Sequence, residues 1–393
     1  MTKEHKTYDE TKLISGGRDP ESNFGIVNPP VYHASTVLSP TLSDWRNRDP
    51  MKDIVYGRMG TPTQKSLENA TALLEGGDKA FATSSGLGAI TVALMSFTKA
   101  GDHVLMTDSA YNPARSFCLN VLAKYGVETT FFDPTIGKNI SSLMKENTKV
   151  VYAESPGSLS FEMQDIPAIS EIAHEHDAVL MHDNTWGTPL FFKSFDMGVD
   201  VSIHAATKYI VGHSDAMLGI LVTTDKHYEK VYRGFRSSGQ HAAPDDCYLA
   251  LRGLRTLGVR LKQHQENALV VARWLENREE ISQVLYPALE SHPGHELWKR
   301  DFLGSTGLFS IILNKHYDDT SLGAMLDEMD LFAMGASWGG YESLILPGSP
   351  IRSATKWDPE GTLLRLHIGL EHVENLISDL DAGLARLKAA SKP

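Results

Sequence analysis

The sequence is poor in cysteine, in basic charge and in long apolar runs. Only Cys118 and Cys247 occur among 393 residues. Two thiols cannot staple a chain of this length, which points to a reducing compartment rather than to a disulfide-built secreted fold. Nothing cationic flanks either thiol at catalytic spacing, so both are expected to be inert. Lys and Arg number 37 against 49 Asp and Glu, a formal net charge of −12. That balance argues against nucleic acid or an anionic membrane as partner. It leaves room for a small anionic ligand, because a few local cations can dominate one pocket. No apolar run approaches the roughly 20 residues that a membrane helix needs. The opening Met1-Thr2-Lys3-Glu4-His5-Lys6 is polar and has no secretory core. The expectation is a cytoplasmic protein.

What is present is ordinary globular composition, 41% hydrophobic and 22% charged. The length exceeds one simple core, so two domains are expected, with an arm. Residues 1–62, rich in Gly, Pro and Asn with Pro29-Pro30, read as an extended arm that must bury itself on something, such as a partner subunit. Residues 63–255 read as a larger domain. Short apolar runs at Ala80–Ala82, His103–Met106, Lys149–Ala153, Ala178–Met181, Val201–Ile203 and Met217–Val222 alternate with helix-like stretches at Gly86–Phe97, Pro113–Tyr125 and Ile166–His174. Buried strands alternating with helices predict an α/β domain with a mostly parallel sheet covered on both faces. Residues 256–393 read as a smaller C-terminal α+β domain. From about residue 226 the helical pattern dominates: Leu249–Gly258 and Leu261–Leu275 are read as helices, Gly307–Leu313 and Leu363–Ile368 as strands, and Val373–Leu387 as an amphipathic helix.

In parallel sheets, ligands bind beyond the carboxyl ends of the strands, and three motifs fall there. Thr83-Ser84-Ser85-Gly86-Leu87-Gly88-Ala89 follows a strand and opens a helix, where free N–H groups can meet a phosphate. Met181-His182-Asp183-Asn184-Thr185-Trp186 places Asp183 just past a buried strand, a costly position for a carboxylate without a cation or strong donors. His204-Ala205-Ala206-Thr207-Lys208-Tyr209 puts Lys208 after the next strand, among small and apolar neighbours that lower an amine's pKa and raise its nucleophilicity. Taken singly, each has a plainer explanation: a turn, a cap, an exposed lysine. Together they supply a phosphate cradle, a partner for a pyridine nitrogen and a Schiff-base lysine, the set that pyridoxal 5'-phosphate (PLP) requires.

At these residues the chain resembles the PLP-dependent Cys/Met metabolism family over nearly its whole length. The likeness extends through Ala205–Ala216, Gly253–Arg260, Ser337–Leu344 and Arg365–Glu371, in that order. It implies the PLP-dependent transferase fold (fold type I), with Lys208 as the cofactor lysine, Asp183 on the pyridinium nitrogen and Tyr111 stacked on the ring. It also implies that Gly86, Leu87, Thr185 and Thr207 complete the cofactor site, with Tyr56 and Arg58 reaching the phosphate from a neighbouring subunit. Arg365 would grip the substrate carboxylate, with Ser337 and Trp338 lining the same pocket. Members assemble as homotetramers, dimers of catalytic dimers. The implied reaction is β-elimination of cystathionine to homocysteine, pyruvate and ammonia. A γ-lyase, a γ-synthase, a cysteine desulfhydrase or a non-catalytic PLP-binding protein remain alternatives. Three positions depart from the wider family pattern. Ala205 stands where many members have serine, Gly157-Ser158-Leu159 replaces an asparagine that commonly follows Glu-Ser-Pro, and Trp338 replaces a smaller apolar residue. The first and last favour the β-eliminating branch.

Other features have bland explanations. His174-Glu175-His176-Asp177 sits at the end of a polar helix without a second ligand set, so no metal is expected. Trp45, Trp274, Trp298 and the Phe191-Phe192 pair are expected to pack.

Overall fold

The computed structural model describes residues 7–391. The polar opening Met1–Lys6 therefore lies outside the described residues. The larger sheet contains β1 (Lys79–Thr83), β2 (His103–Thr107), β3 (Glu128–Phe132), β4 (Thr148–Glu154), β5 (Val179–Asp183), β6 (Val201–His204) and β7 (Gly219–Thr223). Their order is β1-β7-β6-β5-β4-β2-β3. β7 is antiparallel to both its neighbours, and the other pairings are parallel. The central strands are buried along almost their whole length because helices cover both faces. The helix Gly86–Phe97 shows how. Ser85 caps it, its Oγ accepting the Gly88 N–H at 3.0 Å. Ile90, Ala93, Leu94 and Phe97 then recur at helical spacing and are buried.

The smaller sheet contains β8 (Ile281–Leu285), β9 (Leu308–Leu313), β10 (Leu344–Gly348) and β11 (Leu363–His367), in the order β10-β11-β9-β8. All its pairings are antiparallel. One apolar cluster joins Val151 and Leu180 of the larger sheet to Phe309, Ile311, Leu364 and Leu380 of the C-terminal part. The helix Leu257–Leu275 spans the junction. Leu257 and Leu261 pack with Leu67 and Ile210, whereas Ala268, Val271 and Leu275 pack against the C-terminal core.

The α/β pattern expected between 63 and 225 is present, with informative differences. β3, β8 and β10 were not foreseen. β3 and β10 are edge strands, and β8 exposes Ser282 and Gln283, so none carries a long apolar signature. The predicted helix Pro113–Tyr125 breaks at Val121, ending at Asn120 and continuing as a 3₁₀ turn. The helix read as Leu249–Gly258 begins at Pro244 and ends at Arg255.

The first 62 residues are not uniformly arm-like. A helix, Asp9–Ser15, docks on its own chain. Leu13 is buried, its carbonyl accepts from Arg255 Nη1 at 2.5 Å, and Asp9 pairs with Lys193 at 2.7 Å. Beyond it, Phe24 is 98% exposed and Leu38 87%. Trp45, expected to pack, is exposed instead, with the Arg48 guanidinium 3.5 Å above its ring.

Candidate active site

Parallel neighbours bring distant residues to one edge. β4 and β5 are in register with Glu154 opposite Asp183, and Asp183 lies opposite Ile203 of β6. The turn after β6 carries Lys208, and the residues following β2 carry Tyr111. β11 enters from the other side, with Arg365 opposite Leu346 and Ser310. Together they line a cleft of about 820 Å³, within the range of small-molecule sites. Lys208, Asp183, Tyr111, Thr185, Thr207, Gly86, Leu87, Ser337, Trp338 and Arg365 all line it. Tyr56 and Arg58 do not. Tyr56 is exposed, and Arg58 Nη1 donates to the Arg236 carbonyl at 2.9 Å.

Lys208 is held by buried Ala206, Tyr209 and Ile210. Its Nζ donates to Ser337 Oγ at 2.6 Å and lies 5.2 Å from the Trp338 ring. Burial, reinforced by the Arg365 charge, brings the amine down to about 8, against the pull of Asp183. Asp183 Oδ1 accepts from the Thr185 N–H at 3.0 Å and the Thr185 hydroxyl at 2.5 Å, while Tyr152 donates to Oδ2 at 3.3 Å. Thr185 Oγ1 also accepts the Ala205 N–H at 2.8 Å. One hydroxyl thus ties the end of β5 to the turn that presents Lys208.

Glu154 is not among the site residues expected from the sequence, although it directly follows the predicted strand Lys149–Ala153 and ends the observed β4 at the same sheet edge as Asp183. Burial, and then the Asp183 charge, hold its carboxyl well above the usual range. Burial raises Asp183 too, but its three donors oppose that rise. Asp183 is therefore the member that keeps the negative charge, and Glu154 keeps the proton. Glu154 Oε2 accepts the Tyr111 N–H at 2.7 Å. The Tyr111 phenol is raised by burial, then by Glu154 and Asp183, so it stays protonated over the neutral range.

Arg365 Nη2 donates to the carbonyls of Ser337 at 2.9 Å and Gly335 at 3.2 Å, leaving a buried Nε without a partner. The N-terminus of the helix Gly86–Phe97 opens into the cleft, where first-turn amides lack intrahelical acceptors. Gly86 has a further reason to be glycine: a Cβ there would come within 2.5 Å of the Ala205 Cβ. The Thr207 hydroxyl donates to the Leu218 carbonyl at 3.2 Å and accepts its N–H at 3.0 Å.

The bland sequence features resolve simply. His174 contacts Asp200 at 2.8 Å and His176 the Ile172 carbonyl at 2.9 Å. Cys118 and Cys247 are buried, and burial pushes the Cys118 thiol up to about 12 and the Cys247 thiol higher still.

A family model for Cys/Met metabolism PLP-dependent enzymes matches residues 10–385. The chain belongs to this family. It is 45% identical to the cystathionine beta-lyase MetC of Escherichia coli over 388 residues, covering 96% of this chain and 98% of that protein. It is also 45% identical to the L-alanine/L-glutamate racemase of Wolbachia pipientis over 394 residues, covering 96% and 97%. Among solved structures, the cystathionine gamma synthase of Xanthomonas oryzae, in complex with aminoacrylate and cysteine, superposes with a TM-score of 0.91 at 31% identity, covering 98% of this chain and all of that one. The Cys/Met metabolism family is PLP-dependent, and the cleft has what that cofactor needs: a neutralisable amine at Lys208, a buried carboxylate at Asp183, and the N-terminus of the helix Gly86–Phe97 opening into the same space.

Proposed function

We propose that this protein is a carbon–sulfur lyase that cleaves L-cystathionine by β-elimination to L-homocysteine, pyruvate and ammonia, a step of methionine synthesis in the cytoplasm. The observation that carries it is the convergence of Lys208, Asp183 and Arg365 on one cleft from three different elements. The choice among the family's reactions is supported by Trp338 and Ser337 beside Lys208, and by the likeness to the Escherichia coli lyase.

Lys208, Asp183, Tyr111, Thr185, Thr207 and the Gly86 and Leu87 amides would hold PLP, with Tyr56 and Arg58 supplied by a neighbour. When bound, the cofactor supplies an electron sink for charge left at the substrate Cα. Arg365 takes the substrate α-carboxylate through its planar fork and fixes the orientation of the Cα–H bond. The Lys208 amine, neutral in a useful fraction because of its lowered pKa, removes the Cα proton. Asp183, kept ionised by Thr185 and Tyr152, would keep the nitrogen of a bound cofactor ring protonated. Lys208 then returns its proton to the departing sulfur, so homocysteine leaves as the thiol. The remaining three-carbon fragment hydrolyses to pyruvate and ammonia.

The test is turnover of cystathionine with identification of the keto acid. Pyruvate is expected. 2-Oxobutyrate would mean γ-elimination, and Lys208→Ala should lose both turnover and the cofactor's absorbance near the visible edge. The likeness to the Wolbachia racemase supports a second reading, because Lys208 and Tyr111 are two proton carriers in one cleft. Exchange of the alanine Cα proton with appearance of D-alanine would establish it.

A homotetramer built from catalytic dimers, with residues 1–62 as an arm, 63–255 as the PLP-binding part and 256–393 as the smaller part, is part of the same proposal. It is supported by Tyr56 and Arg58 standing outside their own chain's cleft and by the exposed apolar side chains of Phe24, Leu38 and Trp45.

A further inference from the structure

The segment Ser349–Arg352, just after β10, forms one wall of the cleft. Arg352 is nearly enclosed there, its side chain 4% exposed. Its Nη2 donates to Glu162 Oε1 at 2.6 Å and to Ser160 Oγ, and its guanidinium carbon lies 5.7 Å from the Trp357 ring. Nη1 is buried with no hydrogen-bond partner. A guanidinium offers donors in a planar fork that matches a carboxylate, and one side of this fork is unused. Glu162 is itself divided, because its Oε2 accepts from the Ser160 hydroxyl at 2.6 Å.

The backbone behind Arg352 is fixed independently of any ligand. The Asp108 carboxylate accepts the N–H groups of Ser353, Ala354 and Thr355 at 2.8–3.0 Å, and it pairs with buried Arg115 at 2.9 Å. The guanidinium is thus presented by a preset loop, which lowers the ordering cost of using it. It is also separate from Arg365. Arg365 stands beside Lys208, bonded to the Ser337 carbonyl, whereas Arg352 acts on Glu154 at the end of β4. Two cations therefore serve one cleft from different elements.

We propose that Arg352 receives a second, distal carboxylate of the substrate, so that the cleft selects amino acids bearing an acid group at both ends, with Glu162 as the internal anion it competes against. This rests on the reading that Arg365 takes the α-carboxylate. It names a substrate class, dicarboxylic amino acids, of which a thioether joining two amino-acid halves is one.

The test uses the PLP-loaded protein and two ligands of similar length that have no sulfur to eliminate, L-2-aminoadipate and L-norleucine, with Kd measured by calorimetry. The wild type should bind aminoadipate at least about tenfold more tightly than norleucine. Arg352→Gln should cut that ratio by about tenfold, the scale of one lost charge-assisted pair. Glu162→Gln should raise it, because the competing carboxylate is gone. A wild type without preference, or either folded variant with an unchanged ratio, overturns the proposal. Equal weakening of both ligands in Arg352→Gln leaves the ratio unchanged, marks a purely structural arginine, and overturns it too. Neither ligand can be cleaved, so the outcome is independent of the lyase assay. Protein that releases no keto acid from cystathionine but shows both ratio shifts would retain the receptor and lose the lyase.

Discussion

Removing the cofactor should expose an unusually acidic lysine. In the ligand-free cleft the Lys208 amine falls from its ordinary 10.5 to about 8, through burial first and the Arg365 charge second, with Asp183 opposing. The difference corresponds to about 3 kcal/mol against the charged form. At pH 7 about one amine in ten is then neutral, against about one in three thousand for an unperturbed lysine. Only the neutral amine attacks electrophiles, so Lys208 should react about 300-fold faster than surface lysines per unit of accessibility. The assay is pulse labelling of cofactor-free protein with an amine-selective reagent over pH 6–11, followed by peptide mass spectrometry. The Lys208 labelling midpoint should lie near pH 8. The sign of each neighbour is also fixed. Arg365→Gln removes a repelling cation and should raise the midpoint, whereas Asp183→Asn removes an attracting anion and should lower it. A midpoint above pH 10, or one that neither variant moves, would refute the assignment of Lys208 to a desolvated site between those two charges.

Arg365→Ala should cost about 2–4 kcal/mol of transition-state binding, a fall in kcat/KM of ~30- to 1000-fold. Steady-state kinetics on cystathionine within twofold of wild type would remove Arg365 from the site. Asp108→Asn breaks a buried pair and loosens three N–H contacts, so urea unfolding should show a loss of about 3–5 kcal/mol. The double variant with Arg115→Met should lose less than the sum of the singles by about 1–3 kcal/mol. Strict additivity would show that the two residues do not act together. Although burial pushes the Asp108 carboxyl up, the donors of Thr355, Ser353 and Ala354 prevail and hold it below 3.8. Its contribution is therefore fully present above about pH 4 and is lost as pH falls through the depressed value.

Much of the site was readable before the fold was known, because its parts obey a strong local rule. Gly86, Asp183 and Lys208 each come at the end of a short buried run, and β1, β5 and β6 run in the same direction, so such residues reach the same edge. Glu154 obeys that rule as well. Nothing in Glu154-Ser155-Pro156 marks the glutamate out, and only its register opposite Asp183 makes it a buried partner. Trp45 is the complementary case. A large aromatic is expected to find a core, yet among the described residues of its own chain it stays exposed, with the Arg48 guanidinium over its ring.

The amino-acid order by itself determined the layered α/β body, the lysine and aspartate positions and the family, since these depend on short periodic runs and contiguous motifs. Only the tertiary structure decided that Asp183 keeps the charge while Glu154 holds a proton, that Asp108 clasps residues 353–355, and that Arg352 lines the same cleft as Arg365 with a buried Nη1 that has no partner. Those properties depend on burial and on donors contributed from segments far apart in the chain. Charge and hydrogen-bond demand are set by three-dimensional neighbours, and no local pattern encodes them.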